Sequence, residues 1–277
     1  MLLGPSLAFL AAFTYWPVMR VVAGSVMVGR FAGQTTVGFG NYQRLFADPH
    51  FARAAWNNLA YAVGTIGPSL VLALVLALAL RETTRLTGIL RTLVVMPLLI
   101  PLVAAAALFS FILLPGDGLL DFYLHRLGLG MVNWLGDPDL AMISVIIVNV
   151  WRGVPFFAIS LLAGLQTINP ELQEAAAIDG ARAWQRFWHV TWPLLLPVTM
   201  VVVLFSVIQT FADFQLVYVL TGGGPANATQ LFATYAYQIG VGTGLLSEGA
   251  AISLAMFPFL LFVVVVQLLY IRRVEVH

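Results

Sequence analysis

Six stretches of the chain stay apolar for about 20 residues or more: 1–28, 59–80, 92–114, 140–165, 194–220 and 250–271. A helix that crosses a bilayer needs about 20 such residues, because in hydrocarbon every backbone N–H and C=O must find its partner within its own segment. Three of the stretches carry no charge; the others carry one each, Arg20, Arg152 and Asp213. Pro17, Pro68, Pro97, Pro101, Pro155 and Pro258 fall inside them, where neighbouring helices can satisfy the carbonyls a proline frees. A membrane β-barrel would instead show short segments alternating apolar and polar residues. The pattern predicts an all-α, polytopic membrane protein with six transmembrane helices.

Composition agrees. Of 277 residues, 61% are hydrophobic and 9% charged, against about a quarter charged in a soluble domain, and the mean hydropathy is +0.95. The net charge of +1 gives no electrostatic case for nucleic acid. All 13 basic residues are arginine. A phosphate-binding loop of the G-x-x-x-x-G-K-[ST] type needs a lysine, so the chain has no ATP site of that kind. Cysteine is absent, which removes disulfides, thiolate metal sites and cysteine nucleophiles. His50, His125, His189 and His277 are scattered outside the spans without ligand spacing, so no metal site is expected. The first stretch lacks a basic start and outruns a signal core, so it reads as a retained helix. Six spans put both ends on one side. That side would hold Arg81, Arg85, Arg91, Arg182, Arg186, Arg272 and Arg273, and the other Arg30, Arg44, Arg53 and Arg126. The positive-inside rule then places both termini in the cytoplasm. No repeat is visible, and 1–277 reads as a single transmembrane domain.

The segment between the fourth and fifth spans, 169–192, is the most informative. Asn169 suits an N-cap, Pro170 the first helical position, Glu171 the positive end of the helix dipole, and Gly180 a left-handed stop. A second short helix is predicted from about 183 to 191. The two would form a knob with Ala175 and Ala176 as a smooth packing side. An amphipathic connector lying on the headgroups meets the same pattern.

Glu174-Ala175-Ala176, followed by Asp179-Gly180-Ala181, Phe187, Val190, Pro193-Leu194 and Pro197, resembles the EAA loop of the membrane subunits of binding-protein-dependent ABC importers. Gly40-Asn41-Tyr42 with Leu45-Phe46 and Asp48-Pro49, Gly164-Leu165-Gln166 with Pro170-Glu171-Leu172, and Thr221-Gly222-Gly223-Gly224-Pro225 extend the resemblance to carbohydrate-type permeases of the maltose F-like and glycerol-phosphate A-like group. Trp192 departs from it, standing where leucine is common, and bears on how the second short helix meets the membrane. The resemblance implies the type I permease fold and a non-catalytic subunit of the bacterial-type inner membrane. It implies that Glu174, Ala175, Ala176, Asp179 and Gly180 couple to a separate ATPase, with Glu174 as charged anchor and Gly180 as the turn. It also implies the partners: a second permease subunit, two ATPase subunits that bind the ATP and Mg, an extracytoplasmic solute-binding protein, and the bilayer. No cofactor is expected in this chain.

Asn149, Arg152, Gly153 and Phe156 in the fourth span, and Ser206, Gln209, Thr210 and Asp213 in the fifth, each follow i, i+3, i+4, i+7 and share a helix face. A charge at mid-membrane costs several kcal/mol unless it faces protein or water. The two stripes fit a shared wet cavity; a buried Arg152–Asp213 pair with the amides as interhelical glue fits them too. The resemblance favours a sugar or polyol site, and Arg152 also suits a phosphate, which keeps a glycerol-phosphate-like solute open. Asp117, Asp121, Asp137 and Asp139 read as a solvated acidic outer loop, and Gly222–Pro225 as a mobile rim or a helix stop. Two rivals stand beside the importer reading. A self-sufficient secondary transporter or channel would need ion-coupling residues beyond Asp213. An intramembrane enzyme would need a nucleophile and base that the spans lack.

Overall fold

The computed structural model describes residues 4–29, 36–81 and 85–275. Residues 1–3 of the first stretch, Arg30 and His277 lie outside the described residues. Helix α1 (Gly4–Ser25) is followed by a two-residue antiparallel pairing of β1 (Met27–Val28) with β2 (Thr36–Val37). Then come α2 (Gly40–Ala47), α3 (Pro49–Leu80), α4 (Arg85–Leu99), α5 (Leu102–Ile112), α6 (Leu119–Arg126) and α7 (Pro138–Thr167). The loop helix α8 (Pro170–Ile178), the long α9 (Ala183–Phe211), α10 (Gln215–Leu220), α11 (Phe232–Tyr237) and α12 (Leu246–Glu275) complete the chain. Among the described residues, five helices are long and apolar enough to cross a membrane, and a sixth is counted when the bent pair α4–α5 is taken as one span.

The third span is not a straight rod. It turns by 97° between Leu99 and Leu102, because Pro97 and Pro101 withhold two N–H donors and Pro101 disfavours helical geometry at Ile100. The fifth span is also corrected. Its helix ends at Phe211, and the apolar run to Leu220 is a separate helix, α10, reached through Ala212, Asp213 and Phe214. The predicted second short helix is no separate element either: it runs through a π-helical turn at Phe187–Thr191 directly into the span.

Helices α3 and α7 share the most extensive interface. Small residues make that approach possible: Ala62, Ala73, Ala77 and Ala158 are buried, and a Cβ on Gly64 would stand 2.7 Å from Ile146 Cδ1. Lipid tails are as apolar as leucine, so membrane helices associate through such close packing rather than through the hydrophobic effect. Around this pair, Phe157, Leu161, Leu165, Leu195 and Val202 fill the half nearer the 169–192 loop, while Tyr61, Val145, Val148, Leu216 and Leu231 fill the other. Arg20 is exposed on α1.

Another close approach joins the turn after α11 to the start of α12. A Cβ on Gly249 would meet Gly240 Cα at 2.5 Å and the Ala236 carbonyl at 2.8 Å, both backbone atoms that cannot swing aside. Gly249→Val is therefore expected to destabilise the fold by about 2 kcal/mol, read as a lower unfolding midpoint of the solubilised complex. An unchanged midpoint would contradict this packing.

The acidic outer loop is less solvated than its sequence suggests. Asp121 is buried and accepts hydrogen bonds from Gly116 N–H (2.8 Å), Val132 N–H (3.2 Å) and Trp134 Nε1–H (2.9 Å). The Gly116 bond, with those from Trp134 and Val132, outweighs desolvation and holds its carboxyl below the usual range. Asp137 caps α7 by accepting from Asp139 N–H at 2.8 Å. The Gly222–Pro225 loop is tied down as well. Thr229 Oγ1 lies 2.7 Å from Thr221 Oγ1 and donates to the Gly224 carbonyl at 2.6 Å, while Asn57 of α3 donates to the carbonyls of Asn227 and Gln230 at 3.0 Å.

Candidate functional site

Where α3, α7 and α9 meet, the bundle leaves a cavity of about 310 Å³. Asn149, Arg152, Gly153 and Phe156 line it from α7, and Ser206, Gln209 and Thr210 from α9. Seven of the eight cavity residues picked out by helical spacing are thus brought together. A second cavity of about 480 Å³ shares Phe156 and Phe205 with the first and continues past Ser160, Val201 and Pro197 toward the loop end of α7 and α9.

Asp213 is the exception. Because α9 ends at Phe211, the i+7 position no longer points along the helix face, and Asp213 lies behind the cavity instead of in it. There it holds the site together. Its Oδ2 accepts from the Tyr61 hydroxyl at 2.8 Å and faces Arg152 Nη2 at 3.5 Å, while its Oδ1 accepts the Leu216 N–H of α10 at 3.3 Å. Arg152 also donates through Nε and Nη2 to Asn149 Oδ1, at 3.2 and 2.8 Å. The Asp213 side chain is 3% exposed and that of Arg152 30%, so the guanidinium spans from a buried anchor to the open cavity. The cavity and the buried ion pair, alternatives on sequence grounds, are parts of one arrangement.

Three residues of α3 escape a reading confined to α7 and α9. Thr65 and Ser69 line the cavity, and Tyr61 supports it from behind. Thr65 Oγ1 and Ser69 Oγ are buried without a hydrogen-bond partner among the described residues. Their signal was present: Asn58, Tyr61, Thr65 and Ser69 repeat every three or four residues through the second span. Leu98, close to the break between α4 and α5, closes another side. Both broken spans, at Ile100–Pro101 and at Ala212–Phe214, lie next to this site. Non-helical backbone at membrane depth is tolerated where it borders a cavity or is buried in protein.

The loop residues form a second site, apart from the cavity. Asn169 Oδ1 accepts the Glu171 N–H at 3.1 Å and starts α8. Gly180, at φ +83°, ends it. Ala181 N–H returns to the Ala176 carbonyl at 3.0 Å and Gly180 N–H to that of Ala177 at 3.1 Å, the paired closure of a left-handed helix stop. Gln173 Nε2 donates to Thr191 Oγ1 at 2.8 Å and fixes α8 against the root of α9. Glu174, Ala175, Asp179 and Gly180 are exposed, Ala176 is half-buried, and Ile178 is 86% exposed.

Spans that break beside a polar cavity, with a capped helical knob at one end, define a membrane protein of solute transport. The chain belongs to the family of binding-protein-dependent transport system inner membrane components, whose model matches residues 69–276. The permease protein MalF of the trehalose/maltose transport system of Thermococcus litoralis is 35% identical over 232 residues, 84% of this chain and 78% of that protein. The permease protein UgpA of the sn-glycerol-3-phosphate transport system of Agrobacterium fabrum is 30% identical over 280 residues, covering 100% of this chain and 95% of that one. A crystal structure of a bacterial ABC transporter involved in the import of the acidic polysaccharide alginate superposes with a TM-score of 0.87 at 25% identity, over 98% of this chain and 94% of that one. The resemblance carried by the EAA loop and the importer-permease fold it implies are both borne out.

Proposed function

We propose that this chain forms, with a second permease subunit, the translocation pathway of an ABC importer for a carbohydrate or related polyol. Two separate ATPase subunits bind ATP and Mg and grip the loop around Glu174–Gly180, and an extracytoplasmic binding protein delivers the solute. Both termini then lie in the cytoplasm, on the side with seven of the eleven arginines assigned to the two faces. The relatives named for trehalose/maltose and for sn-glycerol-3-phosphate transport support this class of solute.

The observation that carries the reading is the lining of the cavity. Thr65 and Ser69 offer buried hydroxyls that lack partners among the described residues, Gln209 and Ser206 offer further donors and acceptors, and Phe156, Phe157 and Phe205 offer apolar ring surface. A buried polar group without a partner is costly. A solute with many hydroxyls supplies what is missing, and its ring face suits the aromatic wall. Asp213 matches much of the Arg152 charge, which favours a neutral saccharide over a phosphorylated solute.

The test is ATP hydrolysis by the complete transporter in proteoliposomes, with its binding protein, on addition of maltose, trehalose or sn-glycerol-3-phosphate. A neutral saccharide is expected to stimulate. Gln209→Ala, which removes one or two hydrogen bonds worth about 1 kcal/mol each, is expected to weaken the response about tenfold. Stimulation unaffected by both Gln209→Ala and Ser69→Ala would overturn the cavity assignment. Uptake by vesicles that lack the ATPase would favour the self-sufficient transporter.

A further inference from the structure

A groove of about 800 Å³ between the loop-end half of α3 and the first turns of α9 takes no part in the transport site. One wall is the α3 face of Leu70, Leu74 and Leu78, spaced i, i+4, with Arg81 closing the same stripe one turn further on. That face is apolar over about 12 Å of helix. The other wall carries Trp184, Trp188 and Trp192, successive turns of one face, with ring centroids 5.5 and 5.8 Å apart, and Arg186 stands among them.

Two features point to an occupant. Among the described residues, the groove is apolar along its length and cationic at one end, and no carboxylate lines it. Arg186 Nε is buried without a hydrogen-bond partner among the described residues. A guanidinium donor left in that state calls for an anionic acceptor, and its planar fork matches a phosphate. Tryptophan rings collect at the boundary between headgroups and acyl chains, and Trp192 is the residue that departs from the family pattern. Val71 and Val75 on the α3 wall are 62% and 61% exposed, so the protein itself leaves this surface uncovered.

We propose that this groove holds one anionic phospholipid of the leaflet on the loop side. Its phosphate lies between Arg81 and Arg186, and an acyl chain follows the Leu70–Leu78 face beneath the tryptophans. Only an amphiphile with a single negative head and a long apolar tail matches charge at one end and hydrocarbon along the rest. The Gln173–Thr191 hydrogen bond forms part of the wall, so the lipid touches both the loop and the root of α9. The assignment does not depend on which solute is transported.

The test uses the complete transporter, stripped of lipid and reloaded from micelles holding equal amounts of dioleoyl-phosphatidylglycerol and dioleoyl-phosphatidylcholine, with retained lipid counted by native mass spectrometry. Phosphatidylglycerol is expected to be retained over phosphatidylcholine by roughly tenfold or more, as two arginines at an anionic headgroup would give. The pair Arg81→Gln and Arg186→Gln should abolish the preference, and the pair Arg81→Lys and Arg186→Lys should keep most of it. Equal retention of the two lipids, or a preference untouched by the glutamine pair, would overturn the proposal. A photoreactive benzoyl-phenylalanine in place of Val75 gives a second reading that does not rely on the arginine variants. An adduct of phosphatidylglycerol mass is expected; an adduct with a partner polypeptide would make the groove a protein interface and end the lipid assignment.

Discussion

Asp213→Ala is expected to lower solute-stimulated uptake by about a hundredfold or more. The change takes the carboxylate from between Tyr61 and Arg152, leaving the tyrosine hydroxyl and the Leu216 N–H without their acceptor. Removing one partner of a buried ion pair costs about 3–5 kcal/mol, mostly because the other charge stays behind uncompensated. Arg152 is partly wetted by the cavity, so its penalty falls toward the lower end. Asp213→Asn, whose single amide oxygen keeps an acceptor for only one of the two donors and which loses the charge, should fall between the wild type and Asp213→Ala. The double variant Arg152→Ala, Asp213→Ala removes both charges and is expected to unfold at a higher temperature than Asp213→Ala alone while remaining inactive. That non-additivity, read in a double-mutant cycle, separates the anchoring role from the solute-facing role. Wild-type uptake by Asp213→Ala would dismiss the anchor altogether.

The second large effect concerns the loop. Gly180→Val is expected to reduce solute-stimulated ATP hydrolysis at least about tenfold while the chain still inserts in the membrane. The site has room for a side chain, since nothing lies within 4 Å of an added Cβ, but its φ of +83° does not suit one. Forcing an L-residue into that conformation costs about 1–2 kcal/mol, and a β-branched one more, so the closure at Ala176 and Ala177 opens and α8 turns away. Gly180→Asn, which tolerates the left-handed region, should keep most of the coupling. Glu174→Lys should fail in the same assay for a different reason, by reversing an exposed charge on the face proposed to meet the ATPase. The exposed Ile178, flanked by Glu174 and Asp179, also bears on the headgroup alternative: acidic residues are poorly placed against an anionic membrane surface. Normal stimulated hydrolysis in both Gly180→Val and Glu174→Lys would return the loop to the status of a connector.

Much of this was legible in the chain. The spans were visible because apolar length is a direct demand of the bilayer, and α8 because Asn169, Pro170 and Gly180 each have one local job that needs no tertiary contact. The end of the fifth span was not, because the apolar run resumes at once from Leu216 to Leu220 and only Asp213 and Gln215 hint at the break. The helical spacing that grouped Asp213 with Ser206, Gln209 and Thr210 holds only while the helix does. Thr65 and Ser69 are hidden for another reason: a hydroxyl barely changes the hydropathy of a span, so its stripe shows only in which residues share a face. The burial of Asp121 is invisible in composition, since its partners are two backbone N–H groups and an indole.

The continuity of the second short helix of the loop with the fifth span has a mechanical consequence. From Phe187 to Gln209 the chain is one continuous helix about 33 Å long, with a π-helical first turn and Pro197 inside it. A tilt of about 5° imposed at its base would carry the far end sideways by about 3 Å, the width of a hydrogen bond. On the proposed function, a small stroke by the ATPase subunits would thus suffice to change the contacts of Gln209 with a solute in the cavity.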